Sequence, residues 1–304
     1  MPAPESAPVV AGVDGSPESL AAAEWAAREA ARRDRPLRLI HAREWHPAGP
    51  DGEPVNATRR QPAPPALRRA EERIHGAVPA ASVTDEEVEG PATAALLKAA
   101  ERAELLVLGS RGLTGLAGFL VGSVALGVVG QATGPVVLVR AGEDAADEHL
   151  PAAGGGASTR TGYRDVVLAL DVKDPCDEVI EFAFEAARRR RARLRAVHAW
   201  QSPPAFGLGP GDIALVDGPC RAGEWQGFVS AVLQVWRDKY PDVDVLETVV
   251  REKPATALVR AASGASLLVV GRRLTGRPAL VRTGPVTHAA IRHVGCPVAV
   301  VPHH

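Results

Sequence analysis

The sequence contains an internal repeat, and this feature restricts the possible folds more than any other. The segment VVAGVDGSPESLAAAEWAAREAARRDRPLRLIHAREW, which starts at Val9, aligns with VVLALDVKDPCDEVIEFAFEAARRRRARLRAVHAW, which starts at Val166. Asp14 aligns with Asp171 in this register. A second pair of segments, PATAALLKAAERAELLVLGSRG and PATALVRAASGASLLVVGRR, follows in the same order. The chain is therefore expected to contain two copies of one domain.

The domain boundaries follow from the composition between the two copies. Residues 142–162 contain a Gly triplet and small or polar side chains without apolar periodicity, which is typical of a flexible linker. We expect one domain in residues 1–141, a linker in 142–162 and a second domain in 163–304. Each domain is long enough to bury a core of its own.

Short apolar runs alternate with stretches of helical periodicity in each half. Continuous apolar runs suit strands that are covered on both faces, as in a parallel sheet. The alternation predicts two doubly wound α/β domains. In the first half the predicted strands are Val9–Val13, Leu37–Ile40, Ser82–Val88, Leu105–Leu108 and Val136–Val139, and the predicted helices are Pro17–Arg33, Ala66–His75, Ala92–Ala103 and Val124–Ala132.

A glycine-rich segment, GSRGLTGLAGFLVGS, runs from Gly109 to Ser123. No charged residue occurs from Gly112 to Val139, a stretch long enough for a membrane span. The aligned part of the second copy is rich in arginine, which opposes membrane insertion. Two copies of one fold would not differ in this way, so we expect no membrane contact. The arginines are Arg272, Arg273, Arg277, Arg282 and Arg292.

The same segment has the features of an anion site. Gly109 ends an apolar strand, and Ser123 stands where a helix is predicted to begin. Doubly wound sheets bind ligands beyond the carboxyl ends of their strands, and helix N-termini bind phosphate through main-chain N–H groups. The sequence contains neither GxxxxGK[ST] nor a GxGxxG after a strand. It therefore indicates a phosphate site of another kind, or none.

The spacing of these residues resembles a known motif. Gly109 and Gly112 are followed after nine residues by Gly122 and Ser123, which is similar to the G-2x-G-9x-G-[S/T] nucleotide motif of the universal stress proteins. The flanking strings GVDGSPES, PATAALLKAAE and GPVVLVR resemble that family in the same order. The resemblance covers the chain apart from the linker, as two universal stress protein domains in tandem.

The resemblance implies a fold, a ligand and a set of contacts. It implies two five-stranded parallel sheets of order 3-2-1-4-5 with helices on both faces, paired through their last strands as an internal pseudo-dimer. It also implies ATP, with or without Mg²⁺, between strands 1 and 4. Asp14 would lie beside the adenosine and the main chain of Ala42 would meet the adenine. The ribose and phosphates would be held by Gly109, Gly112, Gly122 and Ser123, with Arg111 as a further phosphate contact.

The second copy departs from this motif at two positions. In the same register, Leu274 replaces the second glycine and Pro285 replaces the serine. A side chain at 274 obstructs close main-chain approach, and a proline removes both a hydroxyl and an N–H donor. We therefore expect the first domain to bind the nucleotide and the second domain to have no cofactor.

The expected function is that of a nucleotide-binding stress-response regulator or adaptor with unidentified protein partners, alone or as a further homodimer. Asp14 is the obvious carboxylate near the predicted site, so at most weak ATP hydrolysis is expected. Two alternatives are a slow ATPase or nucleotidyl-transfer enzyme using the same cleft, and a ligand-free interaction protein. The aligned His41 and His198 are interpreted as structural residues.

The composition argues against several other classes of protein. The net charge is −1, which gives no general attraction to nucleic acid. The N-terminal MPAPESAPVV lacks the pattern of a signal peptide. Three separated cysteines, Cys176, Cys220 and Cys296, form no CxxC pair, so neither disulfides nor a metal site are expected. A cytoplasmic protein fits these observations.

Overall fold

The computed structural model describes residues 6–43, 64–110, 121–201, 219–274 and 283–304. The chain divides into two compact units, with the division between Gly142 and Glu143.

The first unit is built on a parallel sheet of five strands. These are β1 (Val9–Gly12), β2 (Leu37–Arg43), β3 (Val83–Glu89), β4 (Leu105–Ser110) and β5 (Val136–Arg140). Their order is β3-β2-β1-β4-β5, and each neighbouring pair is parallel. Since β1 pairs with β2 on one side and with β4 on the other, the order of connection reverses between β1 and β4. Ligands of doubly wound sheets bind at such a point.

Four helices cover this sheet, namely α1 (Pro17–Arg33), α2 (Pro65–Ala77), α3 (Ala92–Ala100) and α4 (Ser123–Gln131). Helix α1 packs against α2 and α3 packs against α4, which gives two helix layers. The start of α1 is fixed by Ser16, whose Oγ accepts a hydrogen bond of 3.2 Å from the main-chain N–H of Ser19. It ends at Asp34, which adopts the left-handed conformation with φ of 54°.

The second unit repeats this plan. Its elements are β6 (Val166–Ala169), α5 (Asp177–Arg190), β7 (Leu194–Trp200), α6 (Pro219–Lys239), β8 (Val245–Arg251), α7 (Pro254–Ala261), β9 (Leu267–Arg273), α8 (Pro285–His293) and β10 (Val298–His303). The parallel order is β8-β7-β6-β9-β10. Arg191 ends α5 with a φ of 48°, in the place that Asp34 has in the first unit. The predicted fold class, two doubly wound sheets of order 3-2-1-4-5, is confirmed.

The uncharged stretch that raised the membrane alternative forms α4 and β5 where the structure describes it. Among the described helices, none is both long and apolar enough to cross a membrane.

The segment predicted as a flexible linker makes specific contacts within the second unit. A short 3₁₀ helix, Ala145–Glu148, is followed by His149, which pairs with Tyr163 as an antiparallel bridge. The two rings lie 4.0 Å apart, and the Nδ1 atom of His149 donates to the carbonyl of Thr161 at 2.7 Å. The composition predicts a flexible linker, and the ring contact joins residues too far apart in sequence for local patterns to reveal it.

A partly buried cluster of charges joins α1 to the start of β4. Arg33 donates to the Glu29 carboxylate at 2.7 Å and to the Glu104 carboxylate at 2.9 Å, and Arg35 also donates to Glu104. Burial alone would raise the pKa of Glu104, but the hydrogen bonds from Arg35 and Arg33 hold this pKa below its usual value. Glu104 therefore stabilises the fold only while it is ionised.

We predict that Glu104→Gln lowers the free energy of unfolding by about 1–3 kcal/mol at neutral pH, because two guanidinium groups lose a charged partner. The folded-state pKa of Glu104 is depressed, so its contribution is complete above the ordinary glutamate pKa of 4.5. It is lost as the pH falls through the lower folded-state pKa. Urea unfolding of both proteins at neutral pH and at about pH 3 measures this difference. Glu101→Gln, an exposed change three residues away, is the control and should match the wild type.

Candidate functional site

A cleft of about 190 Å³ lies at the carboxyl ends of β1 and β4, where the strand order reverses. Its walls come from the ends of β1, β2 and β4 and from the starts of α1, α3 and α4. Five of the residues predicted for the site line it together, namely Asp14, Ala42, Gly109, Gly122 and Ser123. The other two, Arg111 and Gly112, lie outside the described residues.

Asp14 follows β1 and is held in a defined position. Its Oδ1 accepts hydrogen bonds from the main-chain N–H of Ser16 at 2.9 Å and from the Ser16 hydroxyl at 2.5 Å. Partial burial raises the pKa of Asp14, but the hydrogen bonds from Ser16 and Ser19 outweigh this and the pKa is lowered. The carboxylate is therefore ionised at neutral pH. It can accept hydrogen bonds from ligand hydroxyl or amino groups, and it repels phosphate.

Glu18 is a second carboxylate on the wall of this cleft, and it is not among the residues predicted for the site. It lies in the first turn of α1, where a negative charge is favourable beside the helix N-terminus. That stabilising role is what its sequence position indicates, and only the packing of α1 against β4 shows that it also faces a cavity.

Gly109 lies where α1 passes closest to β4. A Cβ atom on Gly109 would lie 2.6 Å from the carbonyl carbon of Glu18 and 2.7 Å from the nitrogen of Ser19. Since both are main-chain atoms, they cannot move aside as a flexible side chain does. The fold itself therefore requires glycine at 109, in addition to any role toward a ligand.

Gly122 and Ser123 form the opposite wall, at the start of α4. Gly122 is the N-cap, with φ of −60° and ψ of 151°, and a Cβ atom there would have no neighbour within 4 Å among the described residues. Neither the backbone conformation nor the described packing requires glycine here. Ser123 is the first residue of the helix and is exposed. Because the first turn of α4 contains no acidic residue, its N–H groups and partial positive charge remain available to an anion.

The paired histidines have a structural role in both units. The Nδ1 atom of His41 lies 2.8 Å from the carbonyl oxygen of Val13, and that of His198 lies 3.1 Å from the carbonyl oxygen of Leu170. A carbonyl oxygen only accepts, so Nδ1 carries the proton in each case. Each histidine ties the end of its strand to the end of the neighbouring strand, as the structural interpretation expected.

The second unit has a larger cleft at the equivalent place, with a volume of about 620 Å³. Gly284 is the N-cap of α8, with φ of −55° and ψ of 160°, and Pro285 is the first helical residue, as Ser123 is in α4. Pro285 therefore removes an N–H group and a hydroxyl at the position predicted to contact phosphate. Leu274 directly follows β9, and its N–H donates to the carbonyl of His303 at 2.7 Å.

The polar lining of this second cleft differs from that of the first. The Nε2 atom of buried His198 and the Nε1 atom of Trp225 have no hydrogen-bond partner among the described residues, and the two rings are 5.0 Å apart. The Cys176 sulfur lies 3.0 Å from the Nδ1 atom of His303. Burial and the carboxylates of Asp174 and Glu178 raise the pKa of Cys176 to about 11, so the thiol is protonated at neutral pH. None of these residues belongs to the predicted nucleotide motif.

The sheet order, the cleft at the strand reversal of each unit and the glycine-capped helix beside it define a tandem α/β protein with doubly wound sheets. A family model described as the universal stress protein family matches residues 6–140 and 162–302. The chain belongs to this family, and it contains two copies of the family domain.

Individual relatives agree with this assignment over the full length. A universal stress protein of Mycolicibacterium smegmatis is 31% identical over 308 residues, covering 96% of each chain. One from Mycobacterium tuberculosis strain H37Rv is 32% identical over 304 residues, with 96% of each chain covered. The crystal structure of a universal stress protein from Archaeoglobus fulgidus has a TM-score of 0.62 at 16% identity and covers 97% of this chain and 98% of its own. This last similarity supports the fold alone.

We predict that Gly109→Ala destabilises the first unit by about 2 kcal/mol or more, because its Cβ atom would overlap the main chain of α1. Gly122→Ala, at an N-cap where the new Cβ atom meets none of the described residues within 4 Å, should cost about 1 kcal/mol or less. Chemical denaturation of the two variants without ligand compares these values. Equal effects of the two changes would show that the contact between α1 and β4 is not as close as described.

Proposed function

We propose that the chain binds an adenine nucleotide, ATP, in the first cleft and acts as a stress-response regulator or adaptor. The observation that carries the proposal is Gly122, which neither its backbone conformation nor its packing against the described residues requires to be glycine. A glycine at the start of a helix and on the wall of the cleft that Asp14 also lines is suited to close main-chain approach by a phosphate.

The charges of the cleft support a particular orientation of the ligand. The ionised Asp14 favours the ribose hydroxyls over the phosphates, and Ala42 at the end of β2 lines the cleft on the side proposed for the base. The phosphates would then lie toward the start of α4, where the main-chain N–H groups and Ser123 donate. Asp14 and Glu18 are the lining carboxylates on which a magnesium ion accompanying ATP could bind.

Binding rather than catalysis is the main activity in this proposal. No lysine lines the described part of the first cleft, and efficient phosphoryl transfer depends on cations placed around the phosphates. The slow ATPase or nucleotidyl-transfer alternative uses the same cleft and would depend on the same residues. The proposal also places the protein in the cytoplasm, because ATP is available there as a ligand.

The second part of the proposal is that ATP binds to the first unit in preference to the second. Gly122 and Gly284 occupy equivalent N-cap positions, and at both a Cβ atom would meet none of the described residues within 4 Å. The helices differ at the next residue, where Ser123 offers an N–H and a hydroxyl and Pro285 offers neither. The start of α8 therefore offers fewer donors to a phosphate than the start of α4, although the second cleft is larger and is lined by Lys173, Arg221 and Arg273.

We predict that isothermal titration finds one ATP site per chain, and that Gly122→Val weakens ATP binding by more than about tenfold by filling the approach to α4. Gly284→Val is the matched control and should leave binding unchanged. In both variants the new Cβ atom has no neighbour within 4 Å in the described part of the chain, so the unliganded melting temperatures should stay close to that of the wild type. Loss of binding in Gly284→Val alone, or equal loss in both variants, would contradict the first-unit assignment.

The same proteins distinguish the alternatives. Release of phosphate from Mg-ATP by the wild type, abolished by Gly122→Val, would favour the enzyme alternative. Absence of both binding heat and a thermal shift at millimolar ATP would favour an interaction protein without a ligand.

A further inference from the structure

Three potential metal ligands converge in the second unit. They are Asp174 in the turn after β6, Cys176 at the N-cap of α5, and His303 at the end of β10. Their ligand atoms all lie within 4.8 Å of one another, and the Cys176 sulfur is 3.0 Å from the His303 Nδ1 atom. Thiolate, imidazole and carboxylate together form a donor set that zinc prefers.

The first copy serves as an internal comparison for these positions. The aligned segments place Pro17 opposite Asp174 and Ser19 opposite Cys176. The pairings of Gly109 with Val139 and of Gly271 with Val301 place Ala141 opposite His303. All three donors are thus confined to the second copy, although they come from separate parts of the chain. A shared role at one point in space accounts for this joint difference.

The local backbone shows how the imidazole is accommodated. A Cβ atom on Gly271 would lie 3.0 Å from the Nε2 atom of His303, whereas at the equivalent Gly109 it would meet the main chain of α1. In the second unit, the space beside Gly271 is therefore occupied by the His303 side chain. Strand β10 also pairs His303 with Arg273, which fixes the main chain that carries this ring.

We propose that Asp174, Cys176 and His303 bind a divalent transition-metal ion, with zinc as the favoured ion. A tetrahedral zinc ion holds sulfur and nitrogen ligands about 3.5 Å apart, so the cluster needs only small side-chain adjustments. On binding, the Cys176 thiol loses its proton to solvent and a sulfur–metal bond forms. Asp174 exchanges its contact with Arg273 for the metal, and this ion pair is exposed, so its loss costs little.

The proposed metal site is reached from a cavity and keeps one coordination position free of protein ligands. All three side chains line the cavity of about 620 Å³, and three protein ligands leave a fourth tetrahedral position for water or for a cavity-bound molecule with an oxygen or nitrogen donor. This assignment concerns the second unit and is independent of ATP binding in the first.

Cobalt(II) titration of the chelator-treated full-length protein tests the site, because Co²⁺ replaces zinc and a thiolate ligand gives an intense near-ultraviolet charge-transfer band. We expect one Co²⁺ per chain, with the band abolished in Cys176→Ser and retained in Cys296→Ser, the matched cysteine control. His303→Ala should weaken Co²⁺ binding by more than about tenfold, and added Zn²⁺ should displace the cobalt.

Two results would overturn the proposal: no thiolate band in the wild type, or a band that persists in Cys176→Ser. Asp174→Asn provides a second route if Cys176→Ser fails to fold, since Asp174 is partly exposed and its change should lower Co²⁺ affinity without unfolding the chain. If Asp174→Asn bound Co²⁺ with unaltered affinity, the Asp174 carboxylate would not be a ligand of the metal. ATP titration of these variants should match the wild type.

Discussion

The close passage of α1 over β4 at Gly109 is the contact on which the first cleft depends. Main-chain atoms of Glu18 and Ser19 lie where any side chain at 109 would be, so the helix start is held against the strand end. That contact places Asp14 and Ser16, which precede α1, beside the reversal of strand order. The position of the carboxylate and the narrowness of the cleft thus have one origin in backbone packing.

The second unit has the same architecture, but different atoms contact the equivalent glycine. Gly271 is retained, but its open side faces the His303 imidazole and the Val179 side chain. The helix begins later as well, since α1 starts at Pro17 and α5 starts at Asp177, three residues beyond the aligned position. A later start moves the main chain away from the strand end, which is consistent with a larger cavity lined by side chains. Duplication has therefore preserved the sheet and altered the chemistry at its edge.

Much of the fold could be predicted because periodicity and repetition are local signals. The helix Pro17–Arg33 was predicted to the residue, and the apolar runs located the strands. The sheet order came from the family resemblance rather than from the residues themselves. Within the site, Asp14, Gly109, Gly122 and Ser123 line one cleft, and their contacts with a ligand stay a prediction. In physical terms, a sequence motif indicates only those features of a site that every copy of the domain has in common.

The residues that were not predicted depend on contacts between distant segments. Asp174, Cys176 and His303 follow no metal-ligand spacing, and only the pairing of β10 with β9 brings His303 to the start of α5. Glu18 resembles an ordinary helix-start acid in sequence. The role of Gly109 was predicted as ligand approach alone, whereas its packing against α1 requires three-dimensional contact to recognise. An alignment of two copies shows where they differ but not which differences meet in space.

The imidazole beside Gly271 has a consequence for any attempt to restore the nucleotide motif in the second unit. Changing Leu274 to glycine and Pro285 to serine would rebuild the written motif, yet His303 would still lie beside Gly271. In the first unit the corresponding space beside Gly109 is occupied by the main chain of α1. Two substitutions would therefore restore the motif residues without bringing a helix start against the strand end, and the shape of the first cleft would not be reproduced.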